Sequence, residues 1–370
     1  MKEAILFQDV RDFGGFNFKL PGNELEITDN FDYFASSVKI KILFINIPVE
    51  VMVCLPHADL REYFISIRDK IFKSDHTFIN TTELYAPSEM ILQWLNDECI
   101  DKNITVFTPT LHKVNYDNLK IVFNPCWILE SILHIRYIPE VRDICYQLNS
   151  YDIKPKLFDI LLGQRKYHRD YIFEMVNNSS MKDQVIMNYR SGANPKANQN
   201  YFLDEPGVEL FTNPNDNVHS SFNLKYYGLT TCMSSVVPFT IYRQTAYSVV
   251  AETTFDYGLT LMSEKTWKPM VGKRLFVAFA GRHHLANLRK LRFKTFDGII
   301  DESYDDIEHN YLRWIAAYKQ LEWLAEQPQE KIYQLIKPIV EHNFELITNV
   351  ANWPTSNEFF TIEVKKLINL

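Results

Sequence analysis

The sequence predicts an α/β protein of two domains, each built on a mostly parallel sheet, followed by a helical C-terminal segment. The chain has 370 residues, which at about 150 residues per domain fits two domains. Strand-like and helix-like segments alternate through most of the chain, and this alternation is typical of parallel strands joined by helical crossovers. From residue 307 onward the apolar residues recur almost entirely at helical spacing.

The first domain is predicted to span residues 1–150. Its strand candidates are runs of β-branched and aromatic residues that end at turn residues, at 4–7, 38–47, 77–80, 104–108 and 119–124. Its helix candidates have apolar residues at helical spacing, at 59–72, 88–99, 127–135 and 139–148.

The second domain is predicted to span residues 151–325, and residues 326–370 are predicted to form C-terminal helices that pack back across the domains. Strands are expected at 155–162, 184–189, 248–251 and 275–280, with helices at 171–176, 264–271 and 283–292. The Asn- and Pro-rich residues 194–217 predict a long loop. Ligands of such sheets bind at the carboxyl ends of the strands, so a site is expected there, in the crevice between the domains.

Composition and charge exclude several classes of protein. Hydrophobic residues make up 46% and charged residues 23%, which excludes a disordered or low-complexity chain. The 39 basic and 46 acidic residues give a net charge of -7, which argues against a whole-surface nucleic-acid binder but allows a local basic site.

Cysteine usage and hydropathy indicate a protein of a reducing compartment. The five cysteines form no C-x-x-C pair, which favours neither a zinc site nor a disulfide framework. The N-terminus carries no signal-peptide pattern, and the most apolar stretch, residues 40–55, is shorter than the ~20 apolar residues of a membrane span. We therefore expect a cytoplasmic protein without a membrane partner.

The first candidate site motif is L-G-Q-R-K-Y-H-R at residues 162–169. An apolar strand ends at Gly163, which permits a sharp turn into a helix, and the helix N-terminus favours an anion. Arg165, His168 and Arg169 add positive charge, and Arg165 is suited to a bidentate grip on a phosphate. An ordinary strand–helix turn with solvated charges is the alternative.

The second candidate motif spans the end of one predicted strand and the start of a helix. Glu252 follows the strand, and Ser263, Glu264 and Lys265 open the helix. Ser263 is a good N-cap, and a carboxylate in the first turn is favoured by the helix dipole. Capping alone would explain these residues; a functional role would place Glu264 on a ribose diol and Lys265 on a phosphate.

A basic segment surrounds this motif. Residues 264–296 contain nine Lys or Arg and one acid, which suggests an anionic ligand. Arg282 follows a predicted strand and is a ligand candidate. For residues 289–294 we expect instead pairing with the six acids of residues 297–308.

The motifs S-V-V-A-E-T (248–253) and L-M-S-E-K-T-W-K-P (261–269), with L-L-G-Q-R-K-Y-H-R (161–169), resemble the donor-binding region of fucosyltransferase-like glycosyltransferases. The resemblance covers residues 157–305 and is most similar to the version found in large tailed bacteriophages. Met262-Ser263 and Thr253-Thr254 depart from the family pattern, which leaves the sugar open.

The resemblance implies a GT-B fold, in which two Rossmann-like domains face a cleft. It implies a UDP- or GDP-linked sugar as co-substrate, no metal and no other cofactor, with the donor held by Gly163, Arg165, His168, Arg169, Glu252, Ser263, Glu264, Lys265 and Arg282. The 1–150 domain would then hold the acceptor. An inverting transfer needs a carboxylate base, for which Asp9 and Asp12 are the candidates; each alone is also an ordinary turn residue.

Three functions are compatible with the sequence: a glycosyltransferase, a non-catalytic binder of nucleotide sugars or glycans, and a DNA-binding protein that uses the basic segment without chemistry. The acceptor is open between DNA, a glycan and a protein. The phage resemblance gives a weak preference for hydroxymethylated bases of phage DNA, in which case the enzyme would act in the host cytoplasm.

Overall fold

The computed structural model describes residues 3–9, 25–47, 65, 67–81, 87–108, 110–111, 116–148, 151–190, 205–210, 224–231, 235–253, 260–354 and 356–368. The chain forms two compact units, one of Met1–Cys126 with Pro354–Leu370 and one of Trp127–Trp353. Both contain parallel sheets with helices, so the predicted α/β class is confirmed.

The first unit is built on a six-stranded parallel sheet of order β2-β1-β3-β4-β5-β7. Its strands are β1 (Ala4–Asp9), β2 (Leu25–Thr28), β3 (Ile40–Ile47), β4 (His76–Thr81), β5 (Asn103–Thr108) and β7 (Leu119–Phe123), with the two-residue β6 (Thr110–Leu111) outside the sheet order. In β3, Ile42 to Ile45 are all at most 1% exposed, as expected for a parallel strand covered on both faces. The strand order reverses at β1, which makes the sheet doubly wound.

Each face of this sheet is covered by apolar side chains of helices. The helices are α1 (Phe31–Ser36) and α2 (Pro87–Glu98), with helical residues at 67–73; the first part of the predicted helix 59–72 lies outside the described residues. On the opposite face, Phe360 of α11 (Ser356–Ile368) packs edge-on against Phe44 and Phe78, at ring-centre distances of 5.2 and 4.9 Å. The last helix is therefore part of the first unit's core.

The second unit is built on a four-stranded parallel sheet of order β15-β13-β8-β9. The strands are β8 (Lys156–Gln164), β9 (Val185–Arg190), β13 (Thr245–Ala251) and β15 (Phe276–Phe279). Every residue of β13 is buried. Because β9 lies on one side of β8 while β13 and β15 lie on the other, this sheet also reverses its order, between β8 and β13.

Helices and a small antiparallel sheet complete the second unit. The helices are α3 (Cys126–Tyr137), α4 (Pro139–Gln147), α5 (Tyr167–Asn177), α6 (Phe239–Tyr242), α7 (Glu264–Val271), α8 (His284–Lys290), α9 (Asn310–Ala325) and α10 (Gln329–Thr348). The small sheet consists of β10 (Val208–Leu210), β11 (Leu224–Tyr226) and β12 (Leu229–Thr231). The two-residue β14 (Thr260–Leu261) precedes α7.

Two boundaries differ from those predicted. α3 and α4 belong to the second unit, because His134 donates to the carbonyl of Ser235 (3.1 Å) and the Cys145 thiol approaches the carbonyl of Val271 (3.5 Å). The predicted C-terminal segment 326–370 is divided, since α10 lies in the second unit and α11 in the first. Part of the predicted loop 194–217 is described, and it contains β10.

A buried ion pair ties the strands of the second sheet together. The guanidinium of Arg274 donates to Asp159 Oδ1 at 2.8 Å, and both side chains are at most 5% exposed. Ser248 and Thr245 on β13 donate to the same carboxylate oxygen, at 2.8 and 3.2 Å.

Among the described helices none is both long and apolar enough to cross a bilayer.

Candidate functional site

Because β8 and β13 are parallel neighbours, their carboxyl ends lie at one edge of the second sheet, at the point where the strand order reverses. In doubly wound sheets, a crevice for ligands opens at this point outside the carboxyl ends of the strands. β8 ends in a kink, since the pairing with β9 shifts between Leu161 and Gln164. Gly163 lies there with φ +66°, a backbone conformation that residues with a Cβ rarely adopt. The glycine is therefore required by the turn that leads into α5.

His168 and Arg169 join α5 to the end of β13. His168 Nε2 donates to the carbonyl of Glu252 at 2.9 Å, and Arg169 donates to the carbonyls of Ala251 (3.1 Å) and Glu252 (3.2 Å). Their exposures are 0% and 3%. Burial, with the charge of Arg169 second, lowers the pKa of His168 to about 3. Both side chains are therefore buried, and their hydrogen bonds connect the start of α5 to the end of β13.

Glu252 fixes the start of α7 to the end of β13. Its carboxylate is fully buried and accepts four hydrogen bonds: from the amides of Thr253 (2.8 Å) and Ser263 (3.0 Å), and from the hydroxyls of Ser263 and Thr266 (both 2.6 Å). A carboxylate with so many donors is anchored in place. Glu252 therefore lies in the predicted site as a support for the residues around it.

The first turn of α7 agrees with the cap predicted from the sequence. Ser263 is the N-cap, and its hydroxyl accepts from the amide of Lys265. Glu264 is the first helical residue, and its carboxylate is 13% exposed and lies 2.6 Å from Lys265 Nζ. Burial opposes ionisation of Glu264, but the ammonium groups of Lys265 and Lys268 outweigh it and lower the pKa of Glu264 below its usual value. Glu264 is therefore a carboxylate at neutral pH.

Two lysines converge on Thr253. Lys265 Nζ donates to the Thr253 hydroxyl at 3.2 Å, and Lys166 Nζ donates to the Thr253 carbonyl. Lys166 is the N-cap residue of α5 and Lys265 lies in the first turn of α7, so both lysines stand at a helix N-terminus. We call Lys166, Thr253, Glu264 and Lys265 the lysine cluster. The sequence-based candidates missed Lys166, although it stands beside Arg165 in the same motif.

Arg165 and Arg282, which the sequence placed in the site, contact carboxylates outside the lysine cluster. Arg165 is 72% exposed and donates to Asp170 at 3.0 Å. Arg282 is 40% exposed and lies 3.9 Å from Glu308. Neither Asp170 nor Glu308 belongs to the lysine cluster.

Much of the predicted basic segment is neutralised by the protein itself. Arg274 pairs with Asp159, Lys273 with Glu341 at 3.1 Å, and Arg289 with Glu302 at 2.9 Å. The predicted pairing with the acids of 297–308 is thus present at Arg289.

The N-terminus of α8 is occupied by a carboxylate of the protein. Asp305 accepts from the amides of Leu285 (3.0 Å) and Ala286 (2.9 Å). Asp305 thus provides acceptors for free backbone amides at the start of α8, the helix that follows β15. The lysine cluster is therefore the better candidate for binding an anion.

The candidate catalytic bases lie in the first unit. Asp9 is the last residue of β1, so it stands at the carboxyl edge of a doubly wound sheet beside the reversal of strand order. Its side chain and the whole of Asp12 lie outside the described residues. Their role as a base stays a prediction.

No family model, no curated protein and no solved structure matches this chain. Within the described part of the chain, no group of three or more His, Cys, Asp or Glu side chains is placed to hold a metal ion.

Proposed function

We propose that the chain is a glycosyltransferase that takes its sugar from a nucleotide diphosphate, with the donor bound at the edge of the second sheet between β8 and β13. The observation that carries this proposal is the lysine cluster. Lys166 and Lys265 approach one residue, Thr253, from two helix starts at the reversal of strand order. Ammonium groups beside helix N-termini favour a phosphorylated ligand.

The cluster has a group suited to each part of a nucleoside diphosphate. Lys265 and Lys166 would contact the phosphates, and Glu264, which is ionised and 13% exposed, would accept from the ribose hydroxyls. In this assignment Glu252, His168 and Arg169 hold the cluster in place without touching the ligand. The motif resemblance at residues 157–305 points to the same use of Glu264 and Lys265.

The proposed reaction is the transfer of the sugar to an acceptor hydroxyl. The acceptor oxygen bonds to the anomeric carbon of the sugar while the bond from that carbon to the diphosphate oxygen breaks. The acceptor proton passes to a carboxylate base, for which Asp9 and Asp12 are proposed, and the diphosphate leaves with the bonding electron pair. Negative charge grows on the diphosphate during this step, and fixed positive charge at the lysine cluster would stabilise it.

Two doubly wound units are compatible with a GT-B arrangement, in which the first unit would hold the acceptor. The acceptor that we favour, from the phage resemblance, is a hydroxymethylated base of DNA, which the enzyme would have to flip out of the duplex at a cost of a few kcal/mol.

A thermal-shift screen against a panel of UDP- and GDP-linked sugars tests donor binding. We expect one nucleotide class to raise the melting temperature, because a ligand that binds the folded state stabilises it. The stabilising sugar nucleotide is then incubated with the protein alone. Slow release of free sugar would support an enzyme, whereas binding without hydrolysis or transfer to any offered acceptor would favour the non-catalytic binder. No stabilisation by any sugar nucleotide would contradict the proposal.

A further inference from the structure

Behind the lysine cluster, a chain of buried side chains connects two helix starts. Thr266 donates its hydroxyl proton to Glu252 Oε1 at 2.6 Å, and the same hydroxyl oxygen lies 3.1 Å from His284 Nε2. Thr266 and Glu252 are 0% exposed and His284 is 1% exposed. These hydrogen bonds link α7, the end of β13 and the first residue of α8.

The geometry determines which nitrogen of His284 carries the proton. The Thr266 hydroxyl has one hydrogen, and the carboxylate of Glu252 can only accept it. His284 Nε2 must therefore donate to Thr266 Oγ1, which makes the ring the Nε2–H form. His284 Nδ1 is buried and has no hydrogen-bond partner among the described residues, so a proton there would find no acceptor in this part of the chain.

Burial keeps His284 neutral. It lowers the pKa of the ring, while the carboxylates of Glu252 and Asp305 act in the opposite direction. Asp305 is already engaged with the amides of Leu285 and Ala286. Because Nε2–H donates to Thr266 Oγ1, the Thr266 hydroxyl proton is directed at Glu252.

We propose that Thr266 and His284 are positioning residues for the donor site, an inference that rests on the proposed function. Their hydrogen bonds fix the orientation of the Glu252 carboxylate. That carboxylate in turn holds the amides of Thr253 and Ser263, and Thr253 and Lys265 form part of the lysine cluster. Loss of these hydrogen bonds leaves both lysines present but displaces them, so the affinity of the site for phosphate falls.

Thr266→Val tests this inference, because valine has the shape of threonine without the hydroxyl. Thr295→Val is the matched control: Thr295 is also buried and donates to a glutamate, Glu302, at 2.6 Å in the same unit. We expect Thr266→Val to weaken binding of UDP or GDP about tenfold, Thr266→Ser to restore it, and Thr295→Val to leave it unchanged, with the melting temperature measured for each.

A second measurement needs no ligand. Nitrogen-15 NMR of the histidine rings, with His284 assigned by a His284→Gln variant, should show the neutral Nε2–H form at pH 7. An Nδ1–H form would overturn the inference, and so would equal nucleotide affinity in Thr266→Val and the wild type. If the wild type binds neither UDP nor GDP, the proposed function fails and the inference fails with it. A Thr266→Val chain that does not fold leaves the NMR result to decide.

Discussion

Glu252 and Glu264 are both carboxylates of the same sequence motif, and their surroundings give them different roles. Glu252 is fully buried and accepts four hydrogen bonds from the protein, whereas Glu264 keeps 13% of its side chain exposed beside Lys265. The sequence predicted Ser263, Glu264 and Lys265 as a helix start because capping depends on neighbours in the chain. It did not separate Lys166 from Arg165, because the directions of these adjacent side chains depend on Thr253 and Asp170, which only the fold brings close.

Replacement of Glu264 by Gln should separate ribose binding from capping. As a cap, the Glu264 charge contributes only about 0.3–1 kcal/mol through the helix dipole, so a small loss of melting temperature is expected. As a ribose ligand, it should matter for UDP or GDP but not for inorganic pyrophosphate, which has no ribose. We therefore expect weaker calorimetric binding of the nucleotide in Glu264→Gln and unchanged binding of pyrophosphate. A parallel loss for both ligands would show that Glu264 acts through Lys265 instead.

At the scale of elements, segments whose ends carry clear start or stop signals were predictable and strands of three residues were not. α7 begins and ends at the predicted residues, Glu264 and Val271, because a cap, a helical pattern and a terminal glycine coincide. The three strands β10, β11 and β12 have three residues each, too few for a period of two to stand out. α5 starts at Tyr167, four residues before the predicted helix at 171. The charged residues at its start were predicted to lie in the loop that follows β8.

The ion pair between Arg274 and Asp159 makes a prediction about the second sheet. Arg274→Met leaves the Asp159 carboxylate buried without its cation, for which the expected loss is about 3–5 kcal/mol in the free energy of unfolding. Arg165→Met breaks an exposed ion pair and should cost less than about 1 kcal/mol. Urea unfolding of both variants checks this. Similar losses in the two variants would mean that the buried pair contributes no more than a surface pair.

At the scale of the whole molecule, each unit has its own doubly wound sheet, and the chain returns to the first unit at its end. Alternation of strands and helices predicted the α/β class, since crossovers between parallel strands require helices. The assignment of α3, α4, α10 and α11 to units was not predictable. It depends on contacts between residues far apart in the chain, such as Phe360 with Phe44 and His134 with Ser235, which leave no local pattern.

The buried histidines predict a loss of stability in mild acid. Burial lowers the pKa of His134 to about 4 and that of His168 to about 3, whereas an unfolded histidine titrates near 6.5. The unfolded state therefore binds more protons below about pH 6.5, and folding loses stability as the pH falls from there towards the folded pKa values.

At pH 5.5 each of these two histidines should cost about 1.4 kcal/mol relative to neutral pH. Urea unfolding at pH 7.5 and 5.5 measures the total decline, to which His284, whose pKa burial also lowers, contributes as well. His134→Gln keeps a donor for the Ser235 carbonyl and removes one titrating group, so its decline should be smaller by about 1.4 kcal/mol. Equal declines in His134→Gln and the wild type would exclude His134 as a source of the acid sensitivity.

We also predict that sugar transfer needs no metal ion. In the proposed site the charge of the leaving diphosphate is met by Lys166, Lys265 and the start of α7. Activity should therefore persist in EDTA and should not increase when magnesium or manganese is added. Activity that disappears with EDTA and returns with either ion would contradict this prediction.

Calorimetric titration with UDP and GDP tests most directly whether the lysine cluster binds a nucleoside diphosphate. Lys265→Ala removes one ammonium group of the cluster, and Arg165→Ala removes an exposed cation of the neighbouring turn as its control. We expect the wild type to bind one of the two nucleotides. Lys265→Ala should weaken this binding by about 2 kcal/mol, roughly thirtyfold, and Arg165→Ala should bind like the wild type. Equal affinity in Lys265→Ala and the wild type, or no binding of either nucleotide by the wild type, would contradict this prediction.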